Sequence, residues 1–239
     1  MIPEYPDKTN VLVISYLTIR RAIGVTGLLL PLVLGPGGWI VGIPLQPNLS
    51  SYYHTGMRDV FVGTLSAIGI FLYCYRSYDR VENWTANLGC VSALGIAFFP
   101  LDFKSDPLLQ KSLTGYLHSF CGGVFFLTLA FYSLYHFPRD AQREDEPHLR
   151  ERRLIYRTSG IVILVSLVAM GAYLFVIRGA TKQWLNEYHF LFWMEWIAVW
   201  AFAAAWLAKG RTIIADVAVD AMAYANELLL KRVRDPQQR

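Results

Sequence analysis

The chain has 239 residues, of which 54% are hydrophobic, 15% aromatic and only 17% charged, and its formal net charge is +4. This composition is too apolar for an ordinary soluble domain, and the modest positive charge is typical of a protein in contact with anionic lipid. No segment resembles a nucleic-acid-binding module. We therefore expect an all-α, polytopic integral membrane protein with membrane lipids as its surroundings.

Six stretches are long and apolar enough to cross a hydrocarbon core of about 30 Å, which takes about 20 residues. They are residues 16–36, 58–76, 86–101, 114–136, 154–177 and 187–208. The first stretch lacks a small-residue cleavage motif, so it is interpreted as a retained span and not as a signal peptide. Residues 1–210 are thus predicted to form one six-helix transmembrane bundle.

Basic residues predict the orientation of the bundle. With the N-terminus inside, 17 of the 22 Lys and Arg residues fall in cytoplasmic segments and five on the opposite side. Lys and Arg are concentrated in the cytoplasmic loops of membrane proteins, so both termini are predicted to be cytoplasmic. The predicted location is the cell membrane, which in a bacterium is the inner membrane. Residues 39–49 form an apolar loop that is expected to lie as a partial lid over the outer end.

The tail at 211–239 is predicted to form a cytoplasmic amphipathic helix. Ile214, Val217, Ala221 and Leu228 recur near a period of 3.6 residues, with charged residues between them. Such a helix would lie on the inner membrane face or pack against a second subunit. A homo-oligomer formed through this helix or through the bundle is the partner that the sequence indicates.

The run from Ser50 to Gly63 brings polar and ionisable side chains into the mouth of the second span. Such groups are costly at membrane depth and usually mark a site. Under the predicted topology they meet polar residues from the outer ends of other spans. These are Ser50, Ser51, His54, Arg58, Asp59, Asp102, Asp106, His118, Glu187 and His189.

Three imidazoles from different helices predict a zinc site with one open position, and its ligands would be His54, His118 and His189. Zinc lowers the pKa of bound water to about 7 and generates hydroxide. Asp59 or Asp102 would then transfer protons. Ser50 or Arg58 would stabilise a developing oxyanion. The function predicted first is therefore a zinc-dependent membrane hydrolase that acts on a lipid-like amide or ester at the extracytoplasmic side.

Structural roles account for the same residues. Ser50 can cap the second span, Arg58 and Asp59 can form an interfacial ion pair, and His118 can bond a neighbouring helix. Glu195 lies near mid-membrane and favours the alternative function, a transporter or ligand-binding membrane protein in which this acid and the outer acids act. A third hypothesis is a b-type haem held between His118 and His189.

The Ser-Ser-Tyr-Tyr-His-Thr-x-x-Arg-Asp-x-Phe-Val-Gly run resembles the signature of an uncharacterised bacterial family of six-span membrane proteins. The likeness continues through residues 69–72 and 97–100 to His118. It implies the six-span fold and no particular activity.

A second resemblance is to the CREST superfamily of multi-span zinc hydrolases, which includes alkaline ceramidases and adiponectin-receptor-like proteins. The Ser50–His54 run is similar to its Ser-x-x-x-His element, and Asp59 matches its aspartate. The chain departs from that pattern in the last span, where Trp193 stands in place of the second histidine of a His-x-x-x-His pair. It also has six predicted spans where seven are usual, so His118 would have to supply the missing ligand.

Overall fold

Six long helices account for the six apolar stretches. The computed structural model describes residues 8–103, 110–143 and 148–234, and within these ranges the chain is helical with no strand. The helices are α1 (Lys8–Leu32), α2 (Gly38–Ile40), α3 (Arg58–Cys74), α4 (Arg80–Phe98), α5 (Leu113–Phe131), α6 (Phe137–Arg143), α7 (Leu149–Phe175), α8 (Gly179–Glu187), α9 (Phe190–Lys209) and α10 (Ile213–Arg234).

Two helices continue through wider turns instead of ending. A π-helical turn at Val33–Gly37 joins α1 to α2, and another at Tyr132–His136 joins α5 to α6. The sequence predicts a helix stop at residues 34–38, yet the π turn accommodates Pro36, which has no N–H to donate. The first long helix therefore extends to Ile40.

The six helices at the predicted spans form a closed ring in which each packs against the next. Going round the ring, α1 contacts α3, α3 contacts α4, α4 contacts α5, α5 contacts α7, α7 contacts α9, and α9 returns to α1. Close approach is visible where α1 meets α9: a Cβ on Gly35 would lie 2.9 Å from the ring of Trp196. The order along the chain thus becomes the order around the ring, with α9 closing it.

Four continuous helical segments of the described chain are long and apolar enough to cross a membrane. They are Tyr16–Ile40, Leu113–Gln142, Leu149–Phe175 and Phe190–Lys209. The other two predicted spans differ: α3 has 17 residues, which rise about 25 Å at 1.5 Å each, and α4 begins with the polar residues Arg80, Glu82 and Asn83. The helices at these two positions are confirmed, and the six-span topology stays a prediction.

The outside of the ring is apolar at mid-height. Large side chains such as Ile70, Leu127, Val165, Val168 and Ile197 are exposed there. Contiguous exposed apolar surface of this kind is unusual on a soluble monomer, so it supports placement of the bundle in lipid.

Arginines terminate α9 at the end of the ring opposite to the Ser50–Gly63 run. The Arg21 side chain donates to the carbonyls of Gly210 (2.7 Å) and Arg211 (2.8 Å), and Arg152 donates to that of Ala208 (2.6 Å). Cations at a helix C-terminus satisfy its free carbonyls and oppose its dipole. Arg152 also pairs with Asp216 of α10, which fixes the start of the tail helix to the bundle.

The tail is helical over Ile213–Arg234, as the sequence predicts, and residues 235–239 lie outside the described residues. Val219 is buried, whereas Val217, Ala221 and Leu228, three of the predicted apolar positions, are exposed. An apolar stripe is therefore free to meet a membrane or a partner, while the cytoplasmic location of this helix stays a prediction.

Candidate functional site

The structure brings two of the three predicted histidine ligands to the same place, the C-terminal end of α4. His54 lies at the end of the 3-10 turn Leu49–His54, and its Nε2 contacts the carbonyl oxygen of Leu101 at 2.7 Å. His118, one turn into α5, contacts the carbonyl oxygen of Phe99 through Nδ1 at 2.6 Å. Since a carbonyl only accepts, each contacting nitrogen carries its hydrogen, and the other nitrogen of a neutral ring is an acceptor.

The third predicted ligand occupies a different setting. His189 precedes α9 with a left-handed φ of 52°, and its Nδ1 is buried with no hydrogen-bond partner in the described part of the chain. Among the described residues, no group of three or more His, Cys, Asp or Glu side chains is arranged to hold a metal ion. The zinc site of His54, His118 and His189 therefore stays a prediction, and Asp106 lies outside the described residues.

Asp102 closes the connection between α4 and α5. Its carboxylate accepts hydrogen bonds from the Ser112 hydroxyl (2.6 Å) and from the backbone N–H groups of Lys111 (2.5 Å) and Ser112 (3.0 Å). These bonds lower the pKa of Asp102, with the Ser112 hydroxyl contributing most. An ionised carboxylate engaged in this way is a poor proton acceptor, so its geometry favours a structural role.

Arg58 and Asp59 lie at the surface of the ring at the first turn of α3. The Arg58 guanidinium donates to the Tyr53 hydroxyl at 2.9 Å and lies 4.6 Å from the centre of that ring. Asp59 is exposed. Neither side chain lines the interior cavity, although Ser50 does.

The interior of the ring holds a cavity of about 400 Å³ at this same end. Its walls come from α1, α3, α4, α5, α7 and α9, and nearly all of them are apolar. Among the described residues, its polar lining consists of Ser50, His118, Ser119 and Glu195. A mostly apolar cavity with a few polar groups, in the range of about 300–1,000 Å³, is the usual form of a small-molecule site.

Glu195 joins this cavity to the loop above it. Its Oε2 accepts a hydrogen bond from the backbone N–H of Leu49 at 2.6 Å, and one turn earlier the N–H of Phe192 donates to the carbonyl of Pro47 at 3.1 Å. The Asn48 side chain caps the following turn by accepting from the N–H of Ser51 at 2.7 Å. The loop predicted as a partial lid thus contributes its last residue, Leu49, to the cavity wall, and Ser50 follows it there.

The cavity reaches the outside of the ring between α5 and α7. Phe120 and Phe175 line it and are 70% and 64% exposed, so they flank its opening. Gly122, Gly123 and Gly171 also line it, and a Cβ at any of the three would meet no atom within 4 Å. Missing side chains on two facing helices therefore create the space.

The sequence indicates Ser50, His118 and Glu195 as site residues but does not indicate the rest of this cavity. The Gly122–Gly123 pair in the middle of an apolar span was the one local signal, because small residues let helices approach or leave room between them. Nothing local indicated that Gly171 faces the same space. That relationship follows from the packing of α5 beside α7.

A second concave region of about 580 Å³ lies at the opposite end of the ring, and sequence reasoning did not single it out. It is lined by Tyr16, Ser77, Tyr78, Asp79, Arg80, Arg139 and Asp140. Asp79 caps α4 through the N–H of Val81 and pairs with Arg139, and both interactions lower its pKa. Its charges are already matched, which indicates a structural role.

The chain matches no family model, no curated protein and no solved structure. Both resemblances drawn from the Ser50–Gly63 run therefore stay predictions, and the site must be interpreted from its own geometry.

Proposed function

We propose that this chain is a ligand-binding membrane protein that holds an apolar, lipid-phase molecule inside its helix ring. The observation that carries the proposal is the cavity of about 400 Å³ with its opening between α5 and α7. Both helices are candidate spans, and their outer faces expose Leu127 and Val168. A molecule dissolved among acyl chains would enter through this opening without crossing water.

The proposal includes six spans with both termini in the cytoplasm. Helices α3 and α4 complete the ring between α1 and α5, so they share the depth of their neighbours. The excess of Lys and Arg in the predicted cytoplasmic segments supports the orientation. The cavity would then lie in the extracytoplasmic half of the bundle.

A cavity-filling variant tests the proposal. Native mass spectrometry of detergent-purified protein should show a bound small molecule in the wild type, either as purified or after incubation with a lipid extract. Gly171→Leu places a side chain in the cavity and should abolish this adduct. Gly63→Leu is the matched control, because Gly63 also has open space around it but lies on the exposed side of α3, outside the cavity. A wild type that never carries an adduct contradicts the proposal.

One observation favours the zinc hydrolase as a second candidate. His54 and His118 each bond a carbonyl at the end of α4 through one ring nitrogen, and metal-binding histidines are commonly oriented by such a bond. Lipid-like amides and esters would reach these rings from the cavity, which His118 lines. Stoichiometric zinc in purified protein, lost in His118→Ala, is the expected result; protein without zinc would exclude this candidate. A Soret band in the same sample would instead indicate haem.

A further inference from the structure

The head group of the bound molecule can be inferred from the polar atoms of the cavity, and this inference rests on the proposed function. Glu195 has one oxygen engaged: Oε2 accepts from the N–H of Leu49. Its Oε1 accepts no hydrogen bond from the described residues, and it is not among their fully enclosed polar atoms. Since Glu195 lines the cavity and is partly accessible, this accessibility comes from the cavity.

The second strong acceptor in the cavity wall is His118. Its Nδ1–H is committed to the carbonyl of Phe99, which leaves the Nε2 lone pair as an acceptor in the neutral ring. The lining residues in the described part of the chain include no Lys and no Arg. Ser50 and Ser119 also line the cavity, and their hydroxyls can donate as well as accept. The described wall therefore carries one carboxylate and no cation.

This arrangement excludes acidic head groups. A fatty-acid carboxylate or a phosphate would be buried beside Glu195 with no positive partner, and burial of an unpaired charge is strongly unfavourable. A group with several hydrogens on a positive centre satisfies the same wall, because a hydrogen bond between two ionised groups is stronger than one between neutral groups.

We propose that the cavity takes a single-chain amphiphile with a primary ammonium head, which donates to Oε1 of Glu195 while its chain lies along the apolar wall toward the opening between α5 and α7. The Leu49–Glu195 bond orients the carboxylate for this contact. His118 supplies the second acceptor.

Three amphiphiles with the same chain and different heads test the inference: dodecylamine, dodecanol and dodecanoate. They are presented as an equimolar mixture to the wild-type protein, and bound molecules are identified by native mass spectrometry. The amine adduct should predominate and dodecanoate should be lowest. In Glu195→Gln the amine occupancy should fall by about tenfold or more, while that of dodecanol changes little.

The outcomes separate the two proposals. Binding of none of the three contradicts the proposed function itself. Binding that ranks dodecanoate with or above dodecylamine, or amine binding unchanged in Glu195→Gln, overturns the ammonium contact alone. The ranking of the three amphiphiles on the wild-type protein tests the ammonium contact even if Glu195→Gln fails to fold. A further arm with lysophosphatidylethanolamine, which carries both an ammonium and a phosphate, distinguishes the two sources of an ammonium head. Weaker binding than that of dodecylamine assigns the site to a simple alkylamine, whereas equal binding that depends on Glu195 would overturn the exclusion of phosphate.

Discussion

The carboxylate of Glu195 accepts a hydrogen bond from the backbone N–H of Leu49 across 146 positions of the chain. This bond joins the N-terminal half of α9 to the loop that ends at the cavity wall. Both residues line the cavity, so the same contact positions part of the covering loop and the one carboxylate found among the described lining residues.

Removal of the Glu195 carboxylate should make the backbone of the loop at Leu49 more mobile. Glu195→Leu leaves the Leu49 N–H without its acceptor, which costs about 1–3 kcal/mol for a buried group. Amide hydrogen exchange should become faster at residues 49–51, where the capped turn begins. Glu187→Leu, an exposed position at the end of α8, is the control and should leave that exchange unchanged. Equal exchange in wild type and Glu195→Leu would show that the loop is held by other contacts.

The Arg152 side chain should be a major stabilising contact of the opposite end. It is 2% exposed and bonds both the carbonyl of Ala208 and the carboxylate of Asp216. Arg152→Ala breaks a largely buried pair, a loss of about 3–5 kcal/mol at most, with Asp216 partly hydrated. Its melting temperature in detergent should fall well below that of Arg150→Ala, an exposed control two positions earlier. Equal melting temperatures would contradict a stabilising role for Arg152.

Close packing of α1 on α9 predicts a size limit at Gly24. A Cβ there would lie 2.9 Å from the backbone nitrogen of Leu207, which cannot move as a flexible side chain could. Gly24→Val should therefore destabilise the bundle by about 1–3 kcal/mol through overpacking. The same substitution at Gly63, which has open space, is the control. Thermal unfolding followed by tryptophan fluorescence gives the comparison, and tolerance of valine at both positions would argue against the close approach.

The Asp102 contacts predict a pH-dependent contribution to stability. Because its pKa is lowered in the folded protein, this contribution is present above the unfolded pKa of about 4 and is lost as pH falls through the folded value. Asp102→Asn should thus melt at a lower temperature than wild type at pH 7. The difference should shrink as the pH is lowered below about 4. Asp59→Asn, at an exposed position outside this loop, is the control for the loss of one negative charge. A difference between Asp102→Asn and wild type that stays constant across pH would refute the assignment for Asp102.

The predicted orientation can be measured with single cysteines. Starting from protein in which Cys74, Cys90 and Cys121 are replaced by Ala, Glu187→Cys should react with an impermeant maleimide added outside intact cells. Arg80→Cys should react only after lysis. Both positions are exposed at opposite ends of the ring. The reverse pattern would invert the topology and place the cavity in the cytoplasmic half.

The amino-acid sequence by itself determined that the chain is helical and apolar, and where its long helices lie. These properties are local, since a run of about 20 apolar residues and its flanking prolines and charges act within one segment. The grouping of residues at one end of the bundle was also predictable from the alternation of spans. In the structure His54 and His118 each bond a carbonyl just after α4, at Leu101 and Phe99.

Only the tertiary structure decided what those side chains contact. One ring nitrogen of His54 bonds the carbonyl of Leu101, and one of His118 bonds the carbonyl of Phe99. The carboxylate of Asp102 accepts a hydrogen bond from the Ser112 hydroxyl before α5. The tertiary structure also placed Gly123 of α5 and Gly171 of α7 on the wall of one cavity. The physical reason is that the rotation of each helix about its axis is fixed by packing against both neighbours in the closed ring. The periodicity of the sequence determines which residues share a face of each helix. The packing of the closed ring determines which of those faces line the cavity and which contact a neighbouring helix.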